Sequence, residues 1–244
     1  MPANSNFQQA IREAQSSAII GPNVVNKALP YVGGGMVLTG LGVMGGLLIK
    51  GSPLFMPLFW LAIIGELVLY FVARSAAINA NNEKALPLLA TYSLLTGFTL
   101  SFLVAFAAAI SGPGSIFTAV TATGLTFIIA SYTGRRMSDN VGQALQQVVG
   151  LGAVGLIIAM LVGFLGYFIA PDTFAIGSSF DLMIAGFGTV LFIGASFVDF
   201  YTMPRRYNDD QYLAGAMGMY LTYINLFMFI LRLMIALQNG GRRD

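Results

Sequence analysis

Two acidic side chains stand inside long apolar stretches of the sequence. Asp199 lies in GASFVDFYTMPRR (194–206) and Glu66 lies in WLAIIGELVLYFVAR (60–74). Ionisable residues in such stretches are costly and are functional candidates by default. An apolar environment favours the neutral carboxyl and a nearby guanidinium favours the charged one, so such a group can respond to pH. The two acids therefore indicate a proton-sensitive gate or a cation contact. The alternative is a static acid–arginine network that only pins helices together.

Arginines lie near both acids. Arg74 follows Glu66 by eight residues, or about 12 Å along a helix. Asp199 precedes Pro204 by five residues, or about 7 Å along a helix. Arg205 and Arg206 follow Pro204 directly. We expect both acids at comparable depth, in the half of the bundle that carries these arginines.

The remaining charges have simpler interpretations. Asp181 begins an apolar stretch and is expected as an N-cap or first-turn acid, favoured by the helix dipole. Arg232 is close enough to the polar tail to extend toward it. A solvated loop accounts for Arg205, Arg206, Asp209 and Asp210.

Several kinds of chemistry are excluded by composition. The chain has no cysteine and no histidine, which excludes disulfides, thiol nucleophiles, histidine–zinc sites and histidine-based catalysis. The lysines all lie at the boundaries of apolar stretches, which argues against a retinal Schiff base. We therefore expect neither an enzyme nor a bound cofactor, and the dispersed net charge of +2 predicts no nucleic-acid binding.

The elements that carry these residues are predicted to be membrane-spanning helices. The chain is 57% hydrophobic and 9% charged, whereas soluble domains are about 25% charged. Seven stretches approach the roughly 17–25 residues that cross a bilayer, and they are 31–49, 54–74, 86–110, 114–133, 145–170, 181–203 and 212–237. The prediction is an all-α seven-helix membrane domain over 31–237, between a polar N-terminal tail (1–30) and a short polar C-terminal tail (238–244).

Lys and Arg residues predict the orientation of this bundle, because they accumulate in cytoplasmic loops. With a cytoplasmic N-terminus, the inside segments hold Arg12, Lys27, Arg74, Lys84, Arg135, Arg136, Arg205 and Arg206. The outside segments hold only Lys50, Arg242 and Arg243. We expect a bacterial-type inner (plasma) membrane, with the C-terminus on the side opposite the N-terminus. Small residues such as Gly42 and Gly46, in GxxxG spacing, predict close helix contacts.

Three stretches of the sequence carry a likeness to a known family, and they are SYTGRRMSDNVGQAL (131–145), LFIGASFVDFYT (191–202) and AMGMYLTYINLFMFILRL (216–233). In these stretches the chain resembles the Bax inhibitor-1 (transmembrane Bax inhibitor motif, or YccA-like) membrane proteins. The resemblance implies a seven-helix fold with the last helix packed centrally and a pH-sensitive calcium leak across the membrane. It also implies that Asp199 is one of two acids that share a proton, and that Arg74 exchanges partners as the pore opens.

One position departs from the family pattern. Thr222 stands where the family has its second acid, and a hydroxyl can hydrogen-bond to Asp199 but cannot share a titrating proton. Glu66, on the second helix, is the candidate source of the missing carboxyl, and Asp199 is the candidate for a transient calcium contact.

Two functions therefore stay open. One is a cation leak channel gated around Asp199, with the lipid bilayer and calcium or other cations as its partners. The other is a non-conducting protein that binds or modulates a membrane complex, such as a membrane-bound protease.

Overall fold

The computed structural model describes residues 18–240 and consists of seven long helices. Hydrocarbon offers no hydrogen-bond partners, so an apolar chain crossing it must satisfy its backbone internally, as a helix does. The helices are α1 (Val24–Ile49), α2 (Phe55–Ile78), α3 (Asn82–Ser111), α4 (Pro113–Gly134), α5 (Asp139–Tyr167), α6 (Ser179–Arg206) and α7 (Tyr212–Gly240). All seven are long and apolar enough to span a membrane. The predicted seven-helix membrane protein is confirmed.

The ends of the helices follow local chemistry. Gly112 alone separates α3 from α4; its φ of 76° allows the chain to reverse, and Pro113 begins the next helix. Asn81 caps α3 by accepting a hydrogen bond from the Lys84 N–H. A single helical turn, Pro171–Phe174, lies between α5 and α6.

The first helix begins seven residues before the predicted start of its span at 31. Val24, Val25 and Ala28 are buried in a cluster with residues of α4, α6 and α7. Burial of these apolar side chains stabilises the helix although the polar Asn26 and Lys27 lie among them. Within the polar N-terminal tail the sequence also predicts a weak helical stripe of Phe7, Ile11, Ala14 and Ala18. The first three lie outside the described residues, and Ala18 is exposed and precedes α1.

The last helix occupies the centre of the bundle, as the family resemblance implies. α7 packs against α1, α2, α3, α4 and α6, whereas α5 packs mainly against α6. Within its most apolar window, half of the α7 residues are buried, compared with 6% for α5. Residues on α7 therefore contact most of the bundle, and α5 turns most of its surface outward.

Glycines allow α1 and α3 to approach closely, which confirms the prediction for Gly42 and Gly46. A methyl group added at Gly42 would collide with the Leu94 carbonyl oxygen and approach Gly97. One added at Gly46 would collide with Ser101.

Candidate functional site

Asp199 lies where α6 packs against α7. Its Oδ2 atom is buried and makes no hydrogen bond to any of the described residues. The Thr222 side chain of α7, itself 8% exposed, lies beside the same carboxyl. The structure thus brings together the two residues that the family resemblance paired, and it leaves one carboxylate oxygen without a partner among the described residues.

The interface around Asp199 extends along both helices, and we call it the α6–α7 seam. It comprises Asp181, Gly188, Phe192 and Asp199 of α6 with Thr222, Phe229 and Arg232 of α7. Its middle is apolar: the rings of Phe192 and Phe229 stack with centroids 5.5 Å apart, and Gly188 leaves room for Phe229. The polar side chains are at its two ends.

Glu66 lies on a different side of the bundle. Its Oε1 accepts a hydrogen bond from the Thr99 hydroxyl at 2.7 Å, and its Oε2 accepts a longer one of 3.4 Å from Thr96. Both threonines belong to α3. The structure therefore pairs Glu66 with hydroxyl groups of α3, and it does not bring Glu66 to Asp199 as a second carboxyl.

A second polar group lies between α1, α3 and α7. The hydroxyls of Thr39 and Tyr220 are 2.6 Å apart, and the Thr39 hydroxyl is 3.1 Å from the Ser93 carbonyl oxygen. Sequence reasoning did not single out these residues, because buried hydroxyl groups leave no mark in a hydropathy pattern.

Arg74 contacts the link between α6 and α7 rather than either acid. Its Nη2 donates to the Tyr207 hydroxyl at 2.8 Å and its Nη1 to the Ala214 carbonyl oxygen at 3.4 Å. Tyr207 follows Asp199 by eight residues, about 12 Å along the helix direction. In this structure Arg74 therefore holds the same end of α6 on which Asp199 lies, without forming an ion pair with Asp199.

The α6–α7 link also binds three other helix ends. Asn23 donates to both carboxylate oxygens of Asp209, at 2.9 Å from its backbone N–H and 3.1 Å from its side chain. Asn82 donates to the Asp210 carbonyl oxygen, and Gln211 donates to the Ile78 carbonyl oxygen at 2.6 Å. The starts of α1 and α3 and the end of α2 are thereby fixed to this link.

The solvated-loop interpretation is wrong for Arg205 and Arg206, which belong to α6, whereas Asp209 and Asp210 do lie in the link. Arg205 belongs to α6, where its Nη2 lies 3.0 Å from Asp139 Oδ1 of α5 and its guanidinium covers the Tyr201 ring. Asp209 is bound by Asn23, as described above. Their partners are distant in the sequence, so local composition could not reveal them.

Asp181 is a first-turn acid of α6, as predicted, and it has an additional partner. Its Oδ2 accepts a hydrogen bond from the Gly177 N–H at 2.8 Å, and its own N–H donates to the Ser178 cap. Its Oδ1 accepts from Arg232 of α7. Arg232 is thus held by Asp181 rather than extending freely toward the tail. The sequence could have indicated this ion pair, because Asp181 and Arg232 were both expected at the same end of the bundle.

No three acidic side chains converge within residues 18–240. The charged groups of the seam therefore act singly or in pairs, with Asp199 and Thr222 at one end and Asp181 and Arg232 at the other.

Comparison with known proteins assigns the chain to a group of relatives. Residues 21–239 match the family model described as "Inhibitor of apoptosis-promoting Bax1". The chain is 30% identical to the protein YrjE of Lactococcus lactis over 93% of this chain and 90% of that one. It is 36% identical to Bax inhibitor 1 of Schizosaccharomyces pombe over a shorter match of 30% of this chain and 26% of the yeast protein. It is 29% identical to Protein lifeguard 4 of the mouse, over 59% of this chain and 57% of the mouse protein.

Proposed function

Because the chain belongs to the Bax inhibitor-1 family of membrane proteins, we propose that it is a pH-sensitive calcium (cation) leak channel gated around Asp199. One observation carries the proposal: a carboxylate oxygen is buried between two helices, lacks a hydrogen-bond partner among the described residues, and adjoins a hydroxyl. Unpaired buried polar atoms are costly and uncommon. Such an atom is explained if it serves a passing cation or proton.

The chemistry of the pair suits transient contact. Calcium prefers six to eight oxygen ligands, and Asp199 with Thr222 supplies only three side-chain oxygens. The site would therefore replace part of the ion's hydration shell as it passes, and water would supply the rest. Calcium is the permeant ion in this proposal rather than a bound cofactor, and no enzymatic step is proposed.

Asp199 also gives the proposed channel its response to pH. The ionised carboxylate attracts a cation and the protonated one does not, so flux should fall as the pH falls and Asp199 takes up a proton. Thr222 cannot take part in that titration, so the proposed gate depends on one acid.

The proposed motion of the gate involves Arg74. Its hydrogen bonds to Tyr207 and Ala214 connect α2 to the end of α6 and the start of α7. A displacement of α6 along the seam would break the bond to Tyr207 and free the guanidinium to approach Asp199. Glu66, held by α3 hydroxyls, is assigned a positioning role on the other side of α7.

The test is calcium flux into liposomes across a range of pH. Asp199→Asn should lower the flux about tenfold at high pH, equivalent to about 1.4 kcal/mol of lost cation stabilisation, and should flatten the pH profile. Thr222→Asp should steepen that profile, because two neighbouring carboxyls titrate as a coupled pair. Asp172→Asn, which removes an exposed acid outside the long helices, is the matched control. If liposomes with the native protein leak no more than empty ones at any pH, the proposal fails.

A second function is favoured by α5, and it is the non-conducting one. This helix is the most apolar of the seven and the least buried, and it packs mainly against α6. Gly155 on it has open space beside it. A partner membrane protein could pack against that surface, so recovery of a stoichiometric partner in mild detergent, together with absent flux, would support this alternative.

A further inference from the structure

The end of the α6–α7 seam opposite Asp199 carries a buried ion pair. Asp181 is 2% exposed, and the Arg232 side chain is 21% exposed. Arg232 donates to Asp181 Oδ1 through both Nε, at 3.0 Å, and Nη2. Because the Gly177 N–H binds Oδ2, the carboxylate is fixed by hydrogen bonds to both of its oxygens.

Stability alone is a weak explanation for this ion pair. Withdrawing two charges from water costs several kcal/mol per ion, so an apolar pair of similar volume is often as stable. Arg232 is an ionisable group within a membrane-spanning helix, and such groups are functional candidates by default.

A cavity of about 460 Å³ reaches the ion pair. Asp181, Arg232 and Ile176 line it, and aromatic side chains line much of the rest; these are Phe102, Phe106, Phe164, Tyr167, Phe174 and Phe180. The cavity is larger than a water molecule, which takes about 30 Å³, and it is open to the outside of the bundle. A hydrated cation could thus come close to the ion pair.

The ion pair and Asp199 are separated by a distance that matches the membrane. Asp181 precedes Asp199 by 18 residues, or about 27 Å along a helix, compared with roughly 30 Å for a hydrocarbon core. Between them lies the stacked pair Phe192 and Phe229, with Phe229 2% exposed. One seam thus has a charged site at each end and an aromatic centre.

We propose that the Asp181–Arg232 ion pair controls cation access to the seam from the cavity at this end. While the ion pair is formed, the positive charge of Arg232 cancels the attraction of Asp181 for cations. The guanidinium also hydrogen-bonds to the carboxylate and blocks the approach of a cation. A cation reaches Asp181 only by displacing Arg232. The inference rests on the proposed function in one respect, namely that the cation then continues along this seam.

The experiment measures access to the cavity separately from conduction. The chain has no native cysteine, so Ile176→Cys, at a position 40% exposed on the cavity wall, provides a single reporter. In proteoliposomes, cationic and anionic water-soluble methanethiosulfonates are applied to both faces, and the ratio of their labelling rates is recorded. Adding Arg232→Gln should raise the cation-to-anion ratio about tenfold, because Asp181 is left uncompensated. Asp181→Asn should lower the ratio by a similar factor, and Arg232→Lys should leave it close to native.

A lone buried charge can prevent folding, so the double variant Asp181→Asn/Arg232→Gln gives a second measurement. It removes both charges with little change in volume, and it should raise calcium flux while leaving the labelling ratio close to native. If single and double variants leave both labelling and flux unchanged, or if only a lipid-soluble maleimide reaches Ile176→Cys, the access role of the ion pair is overturned. If the ratio shifts as expected but no variant conducts, the access role stands and the channel function fails.

Discussion

At the scale of single residues, Glu66 shows how a carboxylate is accommodated within a membrane span. Its two oxygens receive hydrogen bonds from two threonines on the neighbouring helix. Hydrogen bonds to a charged group contribute more than those between neutral groups, because the charge strengthens the attraction. The sequence marks Glu66 as unusual, but it does not identify Thr96 and Thr99, about 30 residues away, as its partners.

Thr99→Val should therefore destabilise the protein. The valine keeps the volume of the threonine but removes the donor to Glu66 Oε1, so we expect a loss of about 1.5–3 kcal/mol. Thermal unfolding of the purified protein in detergent should show a lower Tm. Thr91→Val is the matched control, since that hydroxyl is exposed and donates to the Pro87 carbonyl oxygen of its own helix. Equal Tm changes in the two variants would contradict the assigned role of Thr99.

At the scale of helices, the crossing of α1 and α3 depends on the absence of side chains. Gly42 faces backbone atoms of Leu94 and Gly97, and backbone cannot move aside as a flexible side chain can. Gly40, two residues earlier, has open space beside it. A side chain added at Gly42 would therefore collide with α3, whereas one added at Gly40, on another face of α1, would meet no other atom.

Gly42→Ala should force the two helices apart and destabilise the bundle by about 1–3 kcal/mol, the usual effect of overpacking. Gly40→Ala should be neutral or stabilising by up to about 1 kcal/mol, because alanine restricts the unfolded chain and favours the helix. Guanidinium or thermal unfolding of both variants in the same detergent measures the difference. A Gly42→Ala protein as stable as the Gly40→Ala protein would show that the helices do not cross at this point.

The seven-helix bundle was largely predictable, because the apolar character that places a helix in the membrane is visible in each local stretch of the sequence. Each span needs a run of apolar residues, and the seven predicted runs correspond to the seven helices, with ends that differ by up to seven residues. The start of α1 was missed because Val24 and Ala28 become buried only through contacts with distant helices. The partners of Arg205 and Asp209 were missed for the same reason: each ion pair or hydrogen bond joins residues far apart in the chain.

The candidate site was predictable only in part. Asp199 stood out as an acid in an apolar run, and the family pattern named Thr222 as its neighbour. Composition could not show that Glu66 faces α3, or that Arg74 binds the α6–α7 link, because both depend on how α2 is rotated within the bundle. That rotation is set by packing against α3 and α7.

The distribution of charge over the whole molecule predicts how it lies in the membrane. One end of the described bundle carries Lys27, Arg74, Lys84, Arg135, Arg136, Arg205 and Arg206, and the other carries Lys50 and Arg232. Arg232 is neutralised by Asp181, which increases the asymmetry. Because positive residues are retained on the cytoplasmic side, the α6–α7 link should face the cytoplasm.

Two single-cysteine variants test this orientation without background labelling, since the chain has no cysteine of its own. Ser138→Cys lies before α5 at the positive end and is exposed, and Gly51→Cys lies in the open link after α1. In intact bacterial cells a membrane-impermeant maleimide should label Gly51→Cys and should reach Ser138→Cys only after permeabilisation. The reverse pattern would place Asp199 near the outer face, and protons entering from outside the cell would then reach the proposed gate first.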